Sequence, residues 1–77
     1  MENNLKKLRE NKKITQKELA KKSGISIRTI QAYESNYRDI NKMQIANAIQ
    51  LKKVLKCRIE DLLEVEDLNG EDNDENI

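Results

Sequence analysis

This chain of 77 residues has no histidine, proline, tryptophan or phenylalanine, and a single cysteine, Cys57. Each absence removes a class of chemistry. Without histidine there is no imidazole base and no imidazole metal ligand. A lone thiol forms neither an internal disulfide nor a thiolate metal site, and it fits a reducing cytoplasm. No apolar run approaches the roughly 20 residues of a membrane span. The N-terminus lacks the apolar stretch of a signal peptide. There is no phosphate loop, and the paired acids Glu60 and Asp61 have the look of a helix start rather than an acid/base dyad. An enzyme is therefore the weakest class of function. Seventy-seven residues allow one small domain whose helices must cooperate to bury a core. The expectation is a soluble, cytoplasmic, all-α protein without cofactor or metal.

What the chain does have is charge, and it is unevenly placed. Charged residues make up 38 % of the sequence, yet the formal net charge is only +1. All fifteen Lys and Arg lie in residues 1–63 beside seven acids, leaving +8; residues 64–77 carry the other seven acids and no base, leaving −7. A near-neutral total thus hides a basic domain and an acidic tail. The basic domain suggests a polyanionic partner, although surface lysines also serve solubility. The tail is too polar to offset its ordering entropy and is expected to be disordered. Competition with a polyanionic partner for the basic face is one use for it; plain solubilisation is another.

Within residues 1–63 helical periodicity dominates. Asn3 or Asn4 can cap a first helix, with Leu5 and Leu8 on one face, that runs to about Asn11. Thr15-Gln16-Lys17-Glu18 has the form of a capping box opening a second helix. That helix carries Leu19 and Ala20 inward and stops at Ser23-Gly24, where glycine suits a left-handed residue. Ser26 can cap a third, from Ile27 to about Ser35, with Ile30 and Tyr33 at core spacing. Asn36 to Ile40 is expected as a loop. Asn41 then caps a fourth helix to about Leu55, with Ile45, Ala48, Leu51 and Leu55 inward. A short fifth helix spans about Ile59 to Leu63. The expected fold is five short helices with a helix-turn-helix in helices two and three.

The stretch Thr15 to Ser35 carries the function. A capping box, a glycine stop and an immediate recap at Ser26 turn the third helix steeply across the second. One helix is left protruding, as a major groove about 12 Å wide can admit. Here the sequence resembles the phage repressor and Cro family of helix-turn-helix proteins. The matching residues are Thr15-Gln16-Lys17-Glu18-Leu19-Ala20, Ser23-Gly24-Ile25-Ser26, Thr29-Ile30 and Tyr33-Glu34. Leu5, Leu8 and Arg9 match the family's first helix; Leu51, Leu55, Ile59, Leu62 and Leu63 match its last two. The likeness covers residues 4–63.

The resemblance implies double-stranded DNA as partner, read by the start and exposed face of the third helix. By position Ile27, Arg28, Gln31 and Ala32 would face base edges. A guanidinium at Arg28 fits guanine O6 and N7, and Gln31 offers both a donor and an acceptor. Arg28 could instead touch phosphate, and Ile27 could belong to the core or an interface. The phosphate contacts implied are Gln16, Ser26, Thr29, Asn36, Arg38 and Lys42, with Asn36 and Arg38 alternatively decorating a polar loop. Lys6, Lys7, Lys12, Lys13, Lys21 and Lys22 would supply a general positive field. Arg9 and Glu34 resemble the family's structural ion pair between the first and third helices. The chain departs from the pattern in three places: Asp39-Ile40-Asn41 where proline is common, Lys52 where alanine is common, and Arg58 where a capping serine is common. The last departure predicts a fraying fifth helix.

Two functions follow. One is a sequence-specific, repressor-like transcriptional regulator binding a pseudo-palindromic operator as a homodimer, regulated by concentration, a partner protein or proteolysis. The other is a protein-interaction module of antitoxin or adaptor type, with Ile40, Met43, Ile49 or Val54 as exposed anchors.

Overall fold

The structure is a computed structural model and describes residues 3–64. Residues 65–77, and with them most of the acidic tail, lie outside the described residues. Among the described residues there are five α-helices and no strand: α1 (Asn4–Asn11), α2 (Gln16–Ser23), α3 (Ile27–Glu34), α4 (Ile45–Leu55) and α5 (Ile59–Leu62). A single 3₁₀ turn, Ile40–Lys42, stands before α4. No described helix is long and apolar enough to cross a membrane.

The caps explain why the helices start and stop where they do. Asn3 accepts from the Lys6 amide at the start of α1. At α2 the Thr15 hydroxyl accepts the Glu18 amide at 3.0 Å, and the Glu18 carboxylate accepts the Thr15 amide at 2.8 Å. Those two bonds satisfy donors that a helix start otherwise leaves bare. Gly24 ends α2 with φ of 75°, and its amide donates to the Ala20 carbonyl. Two residues on, Ser26 caps α3 by accepting the Thr29 amide at 3.2 Å. This close sequence of stop and restart separates two eight-residue helices that remain packed on each other.

The core is aliphatic, as a chain with two tyrosines requires. Leu5, Leu19, Ile30, Leu51, Leu55 and Leu62 are fully buried, with Ile25, Tyr33 and Ile40 beside them. Each helix contributes at least one of these, so no helix can bury its apolar side without the others.

The fourth helix begins later than the sequence suggests. Asn41 lies inside the 3₁₀ turn, which Asp39 caps, and α4 starts at Ile45 behind Gln44, which makes no side-chain cap. The Asn41 side chain is engaged instead with the backbone of Glu64, accepting from its amide at 2.8 Å and donating to its carbonyl at 3.3 Å. Ile45 is also misplaced by spacing alone, being 74 % exposed. A step of three residues falls about 60° short of a full turn, so Ile45 sits about 90° from the centre of the Ala48, Leu51 and Leu55 stripe. Of the expected surface anchors, Ile40 is buried, Met43 and Val54 are half-buried against the core, and only Ile49 is exposed.

At α5 the expected weakness is offset by a different residue. Arg58 cannot accept an amide, but Asp61 reaches back and accepts the Arg58 amide at 3.0 Å. The two side chains also pair at 3.1 Å. Asp61 thus supplies the reciprocal half of a capping box.

Candidate nucleic-acid interface

The local construction of α3 decides what it offers. Its inward residues are Ile30, Tyr33 and Glu34; its outward ones are Ile27, Arg28 and Gln31, all exposed, with Ala32 half-buried. Ile27 lies on the surface at the first turn of α3, although 37 % exposure leaves much of it covered. Tyr33 is in the core and unavailable for stacking on a base. The first turn of α3 therefore presents a guanidinium and an aliphatic side chain at the positive end of the helix dipole.

Around that end lie small donors. The Ser26 and Thr29 hydroxyls share one hydrogen bond at 2.9 Å. Two hydroxyls so paired retain one proton for an outside acceptor. Gln16 opens α2, where the first amides have no carbonyl one turn back and suit a phosphate oxygen.

Behind this face runs a chain of side chains from α1 to α3. Arg9 donates through two nitrogens to the Glu34 carboxylate, at 2.7 and 3.0 Å, and through its third to the Ile14 carbonyl at 2.9 Å. Both ends of the pair are largely shielded, with 11 % and 4 % of their side chains exposed. The bond to Glu34 holds the Arg9 guanidinium above its ordinary pKa, despite the opposing effect of burial. Gln16 then donates to Glu34 at 3.0 Å, and Gln31 donates to the Gln16 amide oxygen at 3.3 Å. The carboxylate can only accept, so it fixes which way the Gln16 amide points. Gln16 in turn leaves Gln31 its own oxygen and one N–H.

These residues line an open cleft of about 470 Å³ together with Lys6 and Ser35. The structure thus brings Gln16 and Gln31 together. Lys6, assigned by sequence only to the general field, is drawn into the same cleft, and Ser35 was not singled out at all. Only the α1–α3 packing reveals both, since one lysine among many carries no signal of its own.

The loop after α3 holds the remaining candidates. Asn36 adopts a left-handed conformation with φ of 65° and accepts from the Asn3 side chain at 3.3 Å. Asn3 also donates to the Tyr33 carbonyl, tying the start of α1 to the end of α3. Arg38 and Lys42 are exposed, and Tyr37 between Asn36 and Arg38 is 87 % exposed. Its signal in the sequence was an aromatic placed in a polar loop. Cys57 packs half-buried against the core, and burial pushes its thiol up from its ordinary pKa. Among the described residues no cluster of three or more metal-ligating side chains occurs.

Comparison with known proteins adds one positive result. No match was found among curated proteins. A family model described as Helix-turn-helix matches residues 5–62, from α1 through the end of α5. With its capping box, its Gly24 turn and an exposed α3 all inside the matched span, the chain belongs to the phage repressor and Cro type of helix-turn-helix family, whose members are DNA-binding regulatory domains.

Proposed function

We propose that this chain is a sequence-specific transcriptional regulator of repressor type that inserts the start of α3 into the major groove. The observation that supports this reading most is the clustering of Arg28, Gln31 and Ile27 on the exposed side of α3, with phosphate-type donors at the starts of both α2 and α3. Arg28 reads guanine through O6 and N7, Gln31 contacts a neighbouring base, and Ile27 with Ala32 meets thymine methyls. Gln16, Ser26, Thr29, Asn36, Arg38 and Lys42 hold phosphates and set the register. On DNA the protein acts as a homodimer on a pseudo-palindrome, with its two recognition helices about 34 Å apart.

Selection of binding sites from random duplexes tests this. The expected outcome is a palindromic motif with half-sites about 10 base pairs apart, bound with a steep salt dependence. No enriched motif, or affinity indifferent to salt, would overturn it.

One observation favours a second reading as an antitoxin-like or adaptor module. Ile45 and Ile49, four residues apart on α4, are exposed together, at 74 % and 38 %. A stoichiometric protein partner lost on Ile45→Asp, with no selected DNA motif, would select this reading.

A further inference from the structure

The point where the chain leaves the described fold is fixed by two asparagines. Asn41 holds the Glu64 backbone through both its amide atoms, at 2.8 and 3.3 Å. Asn4 donates its side-chain amide to the Leu63 carbonyl at 2.8 Å and its backbone amide to the Glu64 carboxylate. Asn41 is the middle residue of the Ile40–Lys42 turn, whose cap, Asp39, follows Arg38 directly. The acidic segment therefore departs from the turn after α3, at Asn41, the residue before Lys42 and three after Arg38.

Those two cations are exposed. Among the described residues the ion pairs are Arg9–Glu34 and Arg58–Asp61, so neither Arg38 nor Lys42 meets a carboxylate there; Asp39 is turned to the Asn41 amide at 2.9 Å. The segment that starts at this point, residues 65–77, contains six acids and no base: Glu66, Asp67, Glu71, Asp72, Asp74 and Glu75. An extended chain advances at most about 3.6 Å per residue, which keeps Glu66 and Asp67 within roughly 11 Å of Glu64. A tether this short gives an effective concentration in the millimolar range.

We infer that residues 65–77 dock on the Arg38–Lys42 edge and compete there with DNA phosphate. The inference rests on the DNA-binding reading above. Binding that depends on phosphate alone loses most to such a competitor, whereas an operator adds base contacts that the segment does not displace. The acidic segment thus acts as a built-in filter against nonspecific DNA.

The test compares the full 77-residue chain with a variant of equal length carrying Glu66→Gln, Asp67→Asn, Glu71→Gln, Asp72→Asn, Asp74→Asn and Glu75→Gln. Without DNA, amide NMR shifts at Arg38 and Lys42 should differ between the two at about 0.01 M salt and converge near 1 M, as screening shortens from about 30 to 3 Å. With a random-sequence duplex at low salt, the variant should bind about tenfold tighter and show a steeper salt slope. Equal shifts at that edge, or differences spread evenly over Lys12, Lys13, Lys21 and Lys22, would overturn the docking. Equal duplex affinity would overturn the competition. If neither chain binds any duplex, the DNA-binding reading fails, while the shifts still decide whether the segment docks.

Discussion

The Arg9 guanidinium and the Glu34 carboxylate form a two-pronged pair, at 2.7 and 3.0 Å, that joins α1 to the last turn of α3. Glu34 is shared: it also accepts from Gln16 at 3.0 Å, and Gln16 accepts from Gln31. The internal charge pair that holds the helices together therefore also orients two polar side chains, at the start of α2 and on the outward side of α3.

Removing one partner of that pair leaves the other shielded from water without its counter-charge. Arg9→Ala or Glu34→Ala should each lower stability by about 3–5 kcal/mol, measured by urea unfolding. The joint replacement Arg9→Met with Glu34→Leu should cost less than either single change. Additive losses would contradict a coupled pair.

Arg28 lies outside the core, so its removal separates binding from folding. Arg28→Ala should leave the unfolding midpoint nearly unchanged, within about 0.5 kcal/mol. Affinity for the selected operator should fall by about 1–3 kcal/mol, with relaxed preference at one base position, in fluorescence anisotropy against single-base variants. A uniform loss across all sequences would assign Arg28 to phosphate instead.

Gly24 holds φ of 75°, and an added Cβ would meet nothing within 4 Å. The penalty for Gly24→Ala is therefore backbone strain alone, about 1–2 kcal/mol. For a domain of this size it should appear as a drop in Tm of roughly 4–8 °C per kcal/mol. Gly24→Asn should lose less, because asparagine tolerates the left-handed region better.

Two exposed carboxylates tie stability to acid. The Thr15 backbone amide holds Glu18 below its ordinary pKa; the Arg58 side chain, helped by its amide, does the same for Asp61. A carboxyl with a depressed folded pKa contributes stability above its unfolded value, about 4.3 for Glu and 3.9 for Asp, and loses it as pH falls through the folded value. With no histidine in the chain, Tm should be nearly flat from about pH 5 to 8 and fall below about pH 4. Glu18→Gln together with Asp61→Asn should flatten that acid limb in thermal melts; an unchanged limb would count against both caps.

Local signals were readable wherever one side chain and a neighbouring amide determine the outcome. The Thr15–Glu18 box, the Gly24 stop and the Ser26 cap each act within three or four residues, so spacing alone locates α2 and α3. The same signals failed at Asn41. A capping residue there was equally plausible by sequence, but its amide is taken by Glu64, 23 residues away. Ile45 failed for a different reason: its three-residue step to Ala48 resembles helical spacing but leaves it about 90° from the centre of the buried stripe.

Caps, periodicity and charge are properties of residues close along the chain. The helix-turn-helix, the core positions Leu5, Leu19, Ile30, Leu51, Leu55 and Leu62, and the division into a basic and an acidic part are therefore legible there, while Ile40 and Ile45 were misplaced. Helix packing sets how Arg9, Glu34, Gln16 and Gln31 connect, that Lys6 enters their cleft, and that Asn41 holds the Glu64 backbone. The hydrogen bonds among them join groups 15 to 25 residues apart. Spacing carries no information about such pairs until the packing of α1, α3 and α5 brings them within hydrogen-bond reach.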